Sequence, residues 1–140
     1  MPGLQLLLIA GTHGNEVNAP WLFDQWHKQP ELIKSHGLNV SKIIGNPEAM
    51  SLCSRYIDCD LNRSFRKELL DSDFNEMYEV KRARDLLSIY GPNGENPSQI
   101  AIDFHSTTSS MGSSLVVYGR RSADLAIAAL LQARLGLPVY

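Results

Sequence analysis

The stretch LQLLLIAG, Leu4 to Gly11, is an almost continuous apolar run that stops at a glycine. A half-exposed strand alternates apolar and polar residues, whereas a run of this kind reads as a strand buried on both faces, as in a parallel sheet. Such a strand requires helices above and below it. NEVNAPWLFDQWHKQ follows, with Val17, Trp21, Leu22 and Trp26 at helical spacing and Pro20 in the first turns, where proline is best tolerated. LNVSKIIGN (38–46) reads as a second strand, closed by the turn Gly45-Asn46-Pro47.

The alternation continues. FNEMYEVKRARDLLSIYG (74–91) predicts a helix with Met77, Val80, Leu87 and Tyr90 on one face, stopped at Gly91-Pro92. IAIDFH (100–105) is a third buried strand and SLVVYG (114–119) a fourth. SADLAIAALLQARLG (122–136) predicts a helix with Ser122 as N-cap and Gly136 as C-cap. Between the second strand and the second long helix, PEAMSLCSRYIDCDLNRSF has weak periodicity and reads as a loop with short elements. The order β-α-β-loop-α-β-β-α gives an α/β fold, a mostly parallel sheet with helices on both faces. After Gly136 the residues LPVY look like the start of a further strand, so the sheet is expected to be incomplete at the C-terminus.

Composition narrows the function. The 140 residues suit one domain, and 44% apolar with 20% charged residues is a globular balance. A net charge of −2 gives no reason to expect nucleic acid or an anionic membrane as partner. No apolar run reaches the ~18 residues of a membrane span, and the first strand lacks the basic flank of a secretory signal. A cytoplasmic protein is expected. Cys53 and Cys59 are too few for a disulfide framework, and their spacing matches no zinc motif; they read as reduced thiols.

His13 and Glu16 lie just past the first strand, at the edge where open α/β sheets place ligands. Spacing i, i+3 puts both on one face of a turn. His105 ends the third strand at what should be the same edge, and two histidines with a glutamate are a ligand set of hydrolytic zinc. The same residues also read as a polar surface turn and a strand histidine. Asp103, two before His105, can orient groups near a metal or bond local backbone. Arg55, Asn62 and Arg63 crowd into one loop; guanidinium grips carboxylates through a planar fork and can steady an oxyanion, so they suggest a small anionic substrate. The alternative is a solvated charged loop with Asp58 and Asp60 as internal partners. His27 and His36 read as surface residues.

GTHGNE, NPEAM, CSRYIDCDLNRSF and DFHSTTSSMG, in this order, resemble the aspartoacylase family among zinc carboxypeptidase-like hydrolases. The resemblance implies that residues 1–140 form the N-terminal part of a zinc-dependent hydrolase domain. It implies one zinc ion on His13, Glu16 and His105. It implies that Arg55 polarises the scissile carbonyl, and that Asn62 and Arg63 hold a substrate carboxylate. The implied reaction is hydrolysis of an N-acyl amino acid, typically N-acetyl-L-aspartate, to acetate and L-aspartate. The family's general base is a glutamate on a later strand, and no glutamate of this sequence matches it. Alternatives are a deacylase of succinylglutamate or of N-acyl aromatic amino acids, or a non-catalytic metal- or carboxylate-binding module. The expected partner is the small anionic N-acyl amino acid; a homo-oligomer is compatible with it.

Overall fold

The computed structural model describes residues 3–72, 76–107, 110 and 112–140. Two compact units are formed, one ending at Ser106 and the other beginning at Thr107.

The first unit is built on three parallel strands, β1 (Gln5–Ala10), β2 (Asn39–Ile44) and β3 (Ile100–Asp103), in the order β2-β1-β3. Leu6 stands beside Val40 on one side and Ile100 on the other, so the apolar run is the central strand, as its composition demands. Successive residues point to opposite faces. Leu6, Leu8 and Ala10, with Val40 and Ile44, pack against Ala19, Phe23 and Trp26 of α1 (Asn18–Lys28). Phe104 closes this layer edge-on against Phe23. On the opposite face Ile43 packs with Leu61 of α3 (Leu61–Ser64) and with Ala83, Leu86 and Tyr90 of α5 (Tyr78–Tyr90). The expected α/β fold with helices on both faces is present. The intervening segment supplies α2 (Pro47–Ser51) and α4 (Lys67–Leu70), short helices that weak periodicity could not delimit.

Three expectations for this unit change. The third strand ends at Asp103: Phe104 N–H still donates to Ile9 O at 3.0 Å, and His105 has left the ladder. α5 begins at Tyr78, while Phe74 and Asn75 lie outside the described residues. Its inward face is Glu79, Val80, Ala83 and Leu86, whereas Met77 is 45% and Leu87 37% exposed. The helix is turned so that a glutamate, and not Met77, enters the protein, because that glutamate finds hydrogen-bond donors inside.

Among the described residues of the second unit the one long element is α6 (Ser122–Leu135). Ser122 is its first residue and not its cap; Arg121 holds that place, and Asp124 accepts from the Arg121 backbone N–H at 3.2 Å. Gly136 ends the helix at φ +66°, as expected of a left-handed C-cap. Residues 114–119 do not form the predicted fourth strand. Leu115 makes one isolated parallel bridge to Val139, held by Leu115 N–H to Pro138 O, Tyr140 N–H to Leu115 O and Val117 N–H to Tyr140 O, and among the described residues this pairing does not extend into a strand. No helix of the described residues is long and apolar enough to cross a membrane.

Candidate metal centre

β1 delivers the first two site residues through a glycine hinge. Gly11 takes φ +63°, a conformation L side chains rarely adopt, and the chain turns sharply off the strand end. Gly14 then runs against α2 so closely that a Cβ would lie 2.1 Å from the Ala49 carbonyl carbon. Its N–H donates to Arg55 O at 3.2 Å, tying the turn to the arginine loop. Between these glycines His13 is buried, and Glu16 is buried three residues on.

His13, Glu16 and His105 come together. One ligand atom from each lies within 4.8 Å of the others. His13 Nδ1 is 2.7 Å from Glu16 Oε1, and His105 Nδ1 is 3.2 Å from Glu16 Oε2. The imidazole centroids are 5.0 Å apart. Ser106 N–H donates to Glu16 Oε2 at 2.7 Å, which fixes the carboxylate between the rings.

The outer nitrogens are anchored as well. His13 Nε2 donates towards both oxygens of Asp60 at 3.2 and 3.3 Å. His105 Nε2 donates to Asp103 Oδ2 at 2.7 Å, and Thr12 Oγ donates to Asp103 Oδ1 at 2.8 Å. A metal taken by the two Nδ1 atoms would leave each Nε2–H to its carboxylate, the arrangement that orients metal-binding histidines. The Asp103 contact pushes the His105 pKa above the ordinary histidine value; burial opposes this, and Glu16 adds to it. Burial raises the Asp60 carboxyl, but His13, the Asn62 N–H and Arg55 outweigh it and hold the group below the usual aspartate value. Two nitrogens and a carboxylate, each oriented from behind, fit a divalent cation such as zinc.

The arginine loop lies beside this cluster. Arg55 is half-exposed and reaches Asp60 Oδ2 at 3.3 Å, so Asp60 links His13 to Arg55. Asn62 Nδ2 is 3.4 Å from His105 Nε2. Arg63 is exposed in α3, and among the described residues its guanidinium has no ionic partner. Asp58 is not a partner of these arginines: it accepts the Tyr78 N–H at 2.7 Å and caps α5. Cys53 and Cys59 are free and stand outside the ligand group, and His27 and His36 are exposed.

Asp60 was legible in the sequence as a candidate partner of the loop arginines, which Arg55 bears out, but its contact with His13, 47 positions away, was not, and Glu79 was missed. Asp60 carries no local signal beyond its place in a charged loop. Glu79 does carry one, since it falls on the stripe defined by Val80, Ala83 and Leu86, where a charged residue is out of place.

The family model described as the succinylglutamate desuccinylase/aspartoacylase catalytic domain matches residues 2–140. A probable aspartoacylase of Prochlorococcus marinus (strain MIT 9313) is 66% identical over 140 residues, all of this chain and 46% of the relative. A probable aspartoacylase of Synechococcus sp. (strain CC9605) is 57% identical over the same length, again 46% of the relative. The crystal structure of murine aminoacylase 3 superposes with a TM-score of 0.82 at 33% identity, covering 99% of this chain and 47% of that one. The chain thus spans just under half the length of the relatives it matches, and its fold is the zinc carboxypeptidase-like one.

Proposed function

The chain belongs to the succinylglutamate desuccinylase/aspartoacylase family, and on that premise we propose that it carries the metal-binding part of a zinc-dependent amidohydrolase acting on a small N-acyl amino acid. N-acetyl-L-aspartate is the substrate favoured, because the relatives with the highest identities quoted above are probable aspartoacylases. The observation that carries the reading is the convergence of His13 Nδ1 and His105 Nδ1 on Glu16, beside a loop bearing Arg55, Asn62 and Arg63.

In this reading His13, Glu16 and His105 hold the zinc ion. Zinc bound there supplies Lewis acidity towards an amide carbonyl and a water of lowered pKa. Asp60 and Asp103 keep Nε2–H of the two histidines occupied, leaving the Nδ1 atoms for the metal. Arg55, always charged, donates to the scissile carbonyl oxygen as negative charge develops on it. Its salt bridge to Asp60 holds the guanidinium at the cluster until substrate arrives. Asn62 and Arg63 take the substrate carboxylate, the amide as a neutral donor and the guanidinium through its fork. The free cysteines suit a reducing compartment, and we place the activity in the cytoplasm.

Metal analysis together with a panel of N-acetylaspartate, succinylglutamate and N-acyl aromatic amino acids tests the proposal. One zinc per chain and preference for N-acetylaspartate are expected. Undiminished hydrolysis after complete chelation would overturn the zinc role, and preference for succinylglutamate would reassign the substrate within the family.

A further inference from the structure

The loop that carries Arg55 and leads into Asp60 belongs to no sheet. Three consecutive backbone donors of it, at residues 57–59, are met instead by one side chain. Glu79, fully buried in the first turn of α5, accepts four hydrogen bonds. Ile57 N–H (2.6 Å) and Asn46 Nδ2 (2.9 Å) donate to Oε1; Asp58 N–H (3.0 Å) and Cys59 N–H (3.1 Å) donate to Oε2. The exchange is reciprocal, because Asp58 accepts the Tyr78 N–H at the start of α5. Loop and helix each supply a carboxylate to the other's backbone.

The placement has two outlets to the metal cluster. Cys59 directly precedes Asp60, the partner of His13 Nε2. Asn46, which donates to Glu79, also accepts the Ala49 N–H at the start of α2, and α2 is the surface against which Gly14 packs next to His13. Burial raises the Glu79 carboxyl, but the N–H donors outweigh it and hold the group below the ordinary glutamate value, so it is ionised at neutral pH.

We infer that Glu79 is a positioning residue for the deacylase site, holding residues 57–59 so that Asp60 orients His13 and Arg55 stands at the substrate. This rests on the reading of the cluster as a metal centre. The test is Glu79→Gln in the metal-loaded protein, with Val80→Ala as reference. Gln keeps the shape but turns an NH₂ towards two N–H donors. Val80 is the adjacent buried residue and makes none of these bonds.

Glu79→Gln is expected to lose amide-exchange protection at Ile57, Asp58 and Cys59. Zinc affinity, read by chelator competition, should fall about five-fold or more, short of the roughly 10–100-fold seen when a partner bonded directly to a ligand is removed. kcat should fall further than KM rises. Val80→Ala should keep affinity and kcat within about twofold even where it destabilises the fold. Should Glu79→Gln fail to fold, Glu79→Asp keeps the charge and is expected to show the same pattern more weakly. Protected amides in the glutamine variant, or affinity and kcat that decline no more than in Val80→Ala, would overturn the inference. Wild-type protein that takes up no zinc would count against the deacylase reading instead, and amide exchange would still decide whether Glu79 holds the loop.

Discussion

Glu16 and Glu79 are both buried carboxylates of the first unit, and their pockets differ in kind. Among the described residues every partner of Glu79 is a fixed N–H: three backbone amides and the Asn46 amide. Those donors stabilise the ionised carboxylate as it stands. Around Glu16 the Ser106 N–H is of that sort, but the two imidazoles beside it present Nδ1 atoms, and their far sides are already engaged. An imidazole nitrogen meets a carboxylate by carrying a proton or by sharing a cation with it. Burial alone therefore does not identify a functional acid; the chemistry of the surrounding donors does.

The largest effect expected from this contrast is at Glu16. Glu16→Gln should reduce zinc from one ion per chain to little or none and abolish hydrolysis with it. In chelator its unfolding should stay close to wild type, because the amide oxygen can still accept from Ser106. Glu79→Gln should do the opposite in chelator, losing about 1–3 kcal/mol for buried donors left without an acceptor. Denaturant titrations of both variants check this, and equal destabilisation would erase the distinction between the two pockets.

Arg55→Ala comes next. Removing a donor aimed at developing negative charge costs about 10²–10³ in kcat. Zinc content should be retained, since the Arg55 guanidinium reaches the cluster through Asp60 and the bond from Gly14 N–H to the residue 55 carbonyl survives in alanine. Steady-state kinetics with parallel metal analysis separates the two effects, and near-normal kcat would remove Arg55 from the chemistry.

The uneven legibility of the chain follows the same contrast. β1 was readable because a run such as LLLIA can be satisfied only inside a sheet, and His13, Glu16 and His105 were readable because strand ends converge at one edge. The partners behind them were not. Asp60 meets His13 through a loop whose path depends on Glu79, and neither contact leaves a periodic trace. The predicted face of α5 holds at Val80 and Tyr90 and fails at Met77 and Leu87 for a related reason: apolar periodicity counts the last two as inward, while the helix is turned so that Glu79 meets the amides of residues 57–59. Residues 114–119 looked like a strand on composition, but pairing is decided by the adjacent segment, and among the described residues of its unit that is the stretch around Val139.

A smaller effect probes the back of the metal pocket. Asp103→Asn leaves His105 in place but offers its Nε2–H a weaker and less certain acceptor. Zinc affinity should drop about 10–100-fold, as for other partners of ligating histidines. Thr12→Val, one step further out, should cost only a few-fold. A Thr12 variant that weakens zinc as much as Asp103→Asn would mean that the hydroxyl, and not the carboxylate, sets the orientation of His105.

The smallest effect expected, and the one that bears most directly on Glu79, is in acid. Its carboxyl is held below the ordinary glutamate value of 4.5. A group whose folded pKa is depressed adds stability above its unfolded pKa, and loses it as pH falls through the folded one. The unfolded chain takes up the proton first, so the loss begins near the ordinary value and is complete below the depressed one. Glutamine cannot titrate, so the stability gap between wild type and Glu79→Gln should be constant at neutral and mildly acid pH and should narrow below about pH 4.5. Asp60, also depressed, is present in both proteins and largely cancels in the difference. Urea midpoints of the two proteins, measured in chelator at a series of pH values, read the gap directly. A gap that stays constant down to about pH 3 would mean that the folded protein does not depend on the ionised carboxylate, and Glu79 would then differ from Glu16 only in having different neighbours.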